Sequence, residues 1–208
     1  VRSELGRWMA EGGSQASSRE IKRAMEICID NANRSIFNAA NSQPQYAGMG
    51  TTLVMGVFQG TRALIGHVGD SRCYRLRAGS FSQLTRDHSL LQEQIDAGLI
   101  SVEQAQYATH KNLVTRALGV EDTVLLEVNE YRAEDGDLYL LCSDGLSDMM
   151  TDERIAAILV TAGTLEEKGR ALIDAANDSG GRDNISVILA CARSKPVRRG
   201  LLSRMLGQ

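Results

Sequence analysis

The hydrophobic period changes several times along the chain, and each change marks a different kind of element. Over residues 17–40, Ile21, Ala24, Met25, Cys28, Ala32 and Phe37 fall on or near one stripe at helical spacing, with Lys22, Arg23, Asp30 and Arg34 on the other side. That spacing predicts an amphipathic helix, for which Ser17 or Ser18 supplies the cap. Asn41-Ser42-Gln43-Pro44 ends the pattern and Gly48-Met49-Gly50 leads away from it. The period then shortens to that of strands. Residues 51–58 and 62–68 flank the turn signal Gln59-Gly60, and 72–77 and 81–84 flank Ala78-Gly79. Strands so closely connected predict antiparallel sheets.

Residues 87–110 are polar and rich in glutamine. They read as two short helices, 88–97 and 101–109, parted by Gly98, and Ser101 with Gln104 forms a capping-box pattern. With few large apolar residues, this insertion is expected to project from the sheets. Strand patterns return at 124–128 and 138–142. A helix starting at Thr151 carries Ile155, Ile158 and Leu159, and a second capping box, Thr164 with Glu167, opens a helix carrying Leu165, Leu172 and Ala176. The run 185–192 is almost wholly apolar, which predicts a strand buried within a sheet. Near the start, Glu11-Gly12-Gly13 reads as a loop between two helices. The last residues, 194–208, place Arg198, Arg199 and Arg204 beside Leu201, Leu202, Met205 and Leu206. They read as a basic, apolar tail, either an ordinary terminus or a short amphipathic anchor.

Composition narrows the picture. With 208 residues, 43% of them hydrophobic, the chain buries one core, assigned to residues 1–193. Twenty glycines against two prolines suit many tight turns. A net charge of -3 gives no basis for nucleic-acid binding. The four cysteines, Cys28, Cys73, Cys142 and Cys191, form no C-x-x-C pair and read as buried thiols. No apolar run approaches the ~20 residues of a membrane span, and Val1-Arg2-Ser3-Glu4-Leu5 shows no signal-peptide pattern. A cytoplasmic monomer is the expectation.

The candidate chemistry lies in three aspartates of one design. Asp70 follows the apolar strand pattern ending Val68-Gly69, Asp144 follows Leu138-Tyr139-Leu140-Leu141-Cys142-Ser143, and Asp183 precedes the run 185–192. Each carboxylate is therefore expected at a strand end. Alone, each is an ordinary turn residue. Together, with no histidine or cysteine beside them, they are hard oxygen donors suited to Mg²⁺ or Mn²⁺ rather than zinc. A shared cation would relieve the repulsion among them, and a pair of ions could activate water and clamp phosphoryl oxygens.

These residues stand in recognisable surroundings. Met49-Gly50-Thr51-Thr52, Val68-Gly69-Asp70-Ser71-Arg72, Gln83-Leu84-Thr85-Arg86-Asp87-His88-Ser89, Thr115-Arg116-Ala117-Leu118-Gly119, Cys142-Ser143-Asp144-Gly145-Leu146-Ser147-Asp148 and Gly181-Arg182-Asp183-Asn184-Ile185-Ser186-Val187 occur in that order. Over residues 17–193 the chain resembles the metal-dependent Ser/Thr protein phosphatases, also called protein phosphatase 2C, in their compact bacterial form. The resemblance implies an α+β fold, two stacked antiparallel sheets with helices on the outer faces. It implies that Asp144 and Asp183 bind the catalytic Mn²⁺ or Mg²⁺ ions, and that Asp70 helps hold a third, weaker one. Asp148, Asn184 and Gly145 would flank and orient these ligands. Residues 87–112 match a flap beside the cleft; in it His88 is expected to cap the flap helix, His110 is the histidine to watch, and both are candidates for substrate contact. His67 is expected to pack in its strand. The implied reaction is in-line attack of metal-bound water on phosphoserine or phosphothreonine of protein substrates, with a Ser/Thr kinase as the opposing partner. Ser143 lacks a glycine-framed elbow and is not a nucleophile candidate.

The resemblance has one gap. The family opens with an Asp-Gly-x-Gly-Gly segment whose aspartate bridges two metals and whose glycine offers a carbonyl, and an upstream arginine binds phosphate. None of these is among the 208 residues. The chain is expected to begin inside the family's first-helix region, so that the activity belongs to the complete protein and these residues alone bind metal weakly, with little turnover. The alternative is a pseudophosphatase or regulatory binding domain of the same fold. The presence of Asp70, Asp144 and Asp183 together favours the enzyme.

Overall fold

The structure, a computed structural model, describes residues 1–105 and 113–193. Two helices open the chain, α1 (Arg2–Ala10) and α2 (Ser18–Ser42), joined by a loop with a 3-10 turn at Gly13–Gln15. Among the described residues, seven strands follow: β1 (Leu53–Gln59), β2 (Arg62–Val68), β3 (Arg72–Arg77), β4 (Ser80–Gln83), β5 (Glu127–Arg132), β6 (Leu138–Cys142) and β7 (Val187–Cys191). Helices α3 (Leu90–Asp96) and α4 (Val102–Ala105) lie between β4 and β5. Helices α5 (Asp144–Ser147), α6 (Asp152–Leu159) and α7 (Leu165–Asp178) lie between β6 and β7. One antiparallel sheet runs β1-β2-β5 and the other β4-β3-β6-β7.

Alternation along the strands builds the layers. On β2, Ala63 and Ile65 point between the sheets, where they meet Cys73, Tyr139 and Leu141. Leu64 and Val68 point outward onto Ile21, Met25, Cys28 and Ile29 of α2. On β6, Leu138, Leu140 and Cys142 face Ile155, Leu159, Leu172 and Ala176 of α6 and α7. Both faces of β2 and β6 are thus covered, which is why these strands read as near-continuous apolar runs. The result is the expected helix-sheet-sheet-helix sandwich.

The predicted punctuation holds in its details. Ser17 caps α2 and closes a capping box with Glu20, and Thr164 does the same for α7 with Glu167. Ser101 and Gln104 bond reciprocally. Cys28, Cys73 and Cys142 are buried free thiols and Cys191 is half-buried. None of the residues of α3 is buried, in keeping with an insertion that stands off the sheets. No helix among the described residues is long and apolar enough to cross a membrane.

Three expectations need correction. The strand placed at 124–128 is β5, Glu127–Arg132. Pairing with β2, from Arg62 opposite Arg132 to His67 opposite Glu127, sets that register. Leu126 instead drops into the core under α2, while Leu125 stays 71% exposed. The apolar run expected to be buried within a sheet is the edge strand β7, with Ile188 65% exposed. Hydropathy records what a strand is made of but not whether a neighbour lies beside it. Finally, α3 is capped by Ser89, whose hydroxyl accepts from the Gln92 N–H, and not by His88. His110, the end of the helix predicted to reach 109, and the tail 194–208 lie outside the described residues.

Candidate active site

The strand registers bring the three aspartates to one end of the sandwich. Val68 at the end of β2 pairs with Leu53 at the start of β1. Cys142 at the end of β6 pairs with Arg72 at the start of β3 and with Val187 at the start of β7. Asp70 sits on the crossover from β2 to β3, which changes sheets there. Asp144 follows β6 and Asp183 precedes β7, so all three leave the same rim. Gly69 makes the crossover possible. Its φ is +101°, and a Cβ there would stand 2.4 Å from Thr52 Cγ2.

Asp144 and Asp183 are fixed to one another through the backbone. The Ser143 N–H donates to Ser186 O (3.1 Å). The Ser143 hydroxyl donates to Asn184 O (3.1 Å) and accepts from the Ser186 N–H (3.0 Å). Asp144 Oδ1 accepts from the Gly145 N–H (2.8 Å), and Asp183 Oδ1 accepts from the Asn184 N–H (2.6 Å). Each carboxylate is therefore held by the next peptide. Asp148 donates its N–H to Asp144 O (2.8 Å) across the single turn of α5.

The electrostatics mark the site as acidic. Burial, then the neighbouring Asp144, with Asp87 and Asp148 adding to it, pushes the Asp70 carboxyl up to about 6. A carboxyl held that far above its ordinary range by burial and by other carboxylates is one that a cation would stabilise as an anion. Three carboxylates at one rim, Asp70, Asp144 and Asp183, form a hard oxygen donor set that fits divalent ions such as Mn²⁺ or Mg²⁺.

Two groups around this rim were not evident in the sequence. Arg72 forms a fork with Asp87, from Nε to Oδ1 and Oδ2 (3.0 Å each) and from Nη2 to Oδ2 (2.6 Å). This pair ties the start of β3 to the root of the insertion. Behind it lies a cluster of His67, His88, Glu127 and Arg116. The two imidazoles stack with centroids 4.5 Å apart. His88 Nδ1 accepts the Gly69 N–H (3.1 Å), and its Nε2 lies 3.3 Å from Glu127 Oε2 and 2.9 Å from Arg116 Nη1. His67 Nε2 lies 2.7 Å from Arg86 O.

Two histidines and a glutamate with ligand atoms within 4.8 Å have the composition of a transition-metal site. The hydrogen bonds oppose that use. Because Nδ1 of His88 accepts from a peptide N–H, the neutral ring carries its proton on Nε2, the nitrogen that faces Glu127, and no lone pair remains for a metal. A guanidinium already stands beside the same nitrogen. Burial, aided by His67, holds the His88 imidazolium pKa below its ordinary value, which keeps the ring neutral. With both ring nitrogens engaged and only 9% of the residue exposed, His88 is not placed to touch a substrate.

The family model described as Protein phosphatase 2C matches residues 3–189. The chain is 40% identical over 173 residues to the serine/threonine phosphatase stp of Listeria innocua, a match covering 83% of this chain and 69% of that protein. It is similar to the serine/threonine phosphatase structure of S. agalactiae, with 34% identity and a TM-score of 0.83, covering 91% of this chain and 78% of that one. It is also similar to the catalytic domain of PstP in complex with two manganese ions, with 32% identity and a TM-score of 0.77, over 92% and 80% of the two chains. With the sandwich and its acidic rim in place, and with a family match spanning most of its length, this chain belongs to the bacterial protein phosphatase 2C family of Ser/Thr phosphatases.

Proposed function

We propose that this protein hydrolyses phosphoserine and phosphothreonine in protein substrates, using Mn²⁺ or Mg²⁺ ions held by Asp144, Asp183 and, for a further and weaker ion, Asp70. The observation that carries the assignment is the convergence of Asp70, Asp144 and Asp148 at one half-buried rim, where burial and then these neighbouring carboxylates push the Asp70 carboxyl up to about 6. Such ions supply Lewis-acid charge to the phosphoryl oxygens and lower the pKa of water. The chain's own residues do the positioning. The Ser143–Ser186 ladder sets the separation of Asp144 and Asp183. Asp148 and the Asn184 backbone brace them, and Gly145 leaves room for that bracing. A Ser/Thr kinase would supply the substrates, and the described part of the insertion, residues 87–105, would border the phosphoprotein.

The test is Mn²⁺-dependent hydrolysis of a phosphothreonine peptide by the full-length protein. Asp144→Asn and Asp183→Asn should each abolish turnover while leaving a cooperative unfolding transition. Turnover retained in either variant would remove that residue from the metal site.

A further inference from the structure

We propose that His88 is the positioning residue for Asp70: its ring, held in one tautomer by Glu127, fixes the Gly69–Asp70 peptide and thereby the affinity of the cation that Asp70 holds. The inference rests on the reading of Asp70 as a ligand. His88 grips Gly69 from both sides. Its N–H donates to Gly69 O (3.0 Å), and its Nδ1 accepts the Gly69 N–H (3.1 Å). Gly69 is the residue that turns the chain into Asp70, at φ +101° and against Thr52.

His88 is in turn held by the two legs of the insertion. Its carbonyl accepts from the Thr115 N–H (2.9 Å), and the Leu90 N–H donates to Leu113 O (2.9 Å) around the Ser89–Val114 bridge. The Asp70 crossover and the flap root are therefore one hydrogen-bonded unit. A shift of the legs moves Gly69 through His88.

The tautomer is the vulnerable point. Nδ1 offers a lone pair to Gly69 only while Nε2 keeps its proton. Glu127 Oε2, 3.3 Å away, accepts that proton, whereas Arg116 Nη1, 2.9 Å away, is itself a donor and favours the opposite tautomer. Removing the carboxylate leaves Arg116 to donate to Nε2, and an Nδ1–H would then face the Gly69 N–H. Glu127 thus holds the acceptor in place from the far side of the ring.

The substitutions separate these contacts. Asparagine places an amide oxygen where Nδ1 stands, and glutamine reaches only the Nε2 side. The experiment counts Mn²⁺ bound to the full-length protein by the electron paramagnetic resonance signal of free Mn²⁺, beside its unfolding temperature. Wild-type protein should show a weak class of site that Asp70→Asn eliminates. His88→Gln should weaken that class about tenfold, the scale of one hydrogen bond to a positioned peptide, and His88→Asn should restore it to within about twofold. If His88→Gln fails to unfold cooperatively, Glu127→Leu, at a half-exposed position, carries the same test and should weaken the class through the tautomer. An Asp70→Asn protein that binds Mn²⁺ as wild type does removes the reading of Asp70 beneath the proposal. Loss of the weak class in Asp70→Asn with none in His88→Gln or Glu127→Leu overturns the tether itself, as does a His88→Asn protein as impaired as His88→Gln.

Discussion

Gly145 and Asn184 are in backbone contact: a Cβ on Gly145 would stand 2.4 Å from the Asn184 carbonyl oxygen and 3.0 Å from its carbonyl carbon. The obstacle is backbone, so it cannot rotate away. This contact brings the residue after Asp144 against the residue after Asp183, and it sets how closely the two loops approach. Gly145→Ala should therefore push the loops apart and reduce turnover at least tenfold, since a displacement of ~1 Å at a positioned group has effects of that order or larger. Steady-state kinetics with the unfolding temperature checks this. Wild-type kcat/KM in a folded Gly145→Ala protein would show that the loops tolerate the added methyl group.

Asp70 gives a prediction for the metal-free protein. Its carboxyl is pushed up to about 6, above its ordinary value near 3.8. A carboxyl raised on folding binds its proton more tightly in the native state, so its ionised form opposes folding. That penalty is absent below the unfolded value, grows as pH rises from about 4 to about 6, and is complete above. Asp70→Asn should thus raise the unfolding temperature of the chelator-treated protein at pH 7.5 and change it little at pH 4. Added Mn²⁺ should stabilise the wild type more than the variant. A variant less stable than wild type at pH 7.5 without metal would mean that Asp70 is already neutralised by a partner.

The local elements were legible because their signals are local. Ile21, Met25 and Cys28 share a face through helical spacing, and Ser17 with Glu20 closes its box within one turn. Position along the chain also placed Asp70, Asp144 and Asp183 at strand ends. What depended on partners distant in sequence was not legible. Residues 124–126 have the composition of a strand, but β2 pairs with 127–132 instead. The His67, His88, Arg116 and Glu127 cluster draws on four separate stretches, joined only when β5 pairs with β2 and the flap root folds back on Gly69. The one trace of it was His88 beside Asp87 in a polar segment, which carries no sign of a tautomer or of a bond to Gly69.

Asn33 shows a further long-range tie, hidden on the apolar stripe of α2. It is 1% exposed, its Nδ2 donates to Glu121 O (3.0 Å) and its Oδ1 accepts the Gly119 N–H (2.7 Å). The loop after Leu118, itself bridged to Thr51, is hydrogen-bonded to the helix through this side chain. Asn33→Ala leaves a buried N–H unpaired and should destabilise the protein by about 2–3 kcal/mol, lowering the unfolding temperature by roughly 5–10 °C. Chemical denaturation checks the magnitude. Because the residue lies under the helix layer, kcat at 20 °C should change far less than it does in Gly145→Ala.

At the end of the sandwich opposite the aspartates, the partly exposed Arg77 and the buried Asp137 make another fork. Nε donates to Oδ1 (2.7 Å) and Nη2 to Oδ2 (2.6 Å), while Nη2 also reaches Arg132 O (2.7 Å) on the other sheet. Asp137 Oδ2 accepts from the Glu134 N–H and the Tyr139 hydroxyl as well. The Arg77 guanidinium, against the opposing effect of burial, holds the Asp137 carboxyl below its ordinary range. A carboxyl lowered on folding contributes stability that is fully present above its unfolded value, near 3.9, and lost as pH falls through the lower folded value. Asp137→Asn keeps the shape but not the charge. It should lower the unfolding temperature by several degrees at pH 7, and the gap from wild type should narrow below pH 4 as the native carboxylate is protonated. Measuring both proteins from pH 3 to pH 8 decides the point, since a gap that stayed constant to pH 3 would assign the effect to packing and not to the charge. The site aspartates lie at the far ends of these strands, so phosphatase activity below the unfolding temperature should be unchanged.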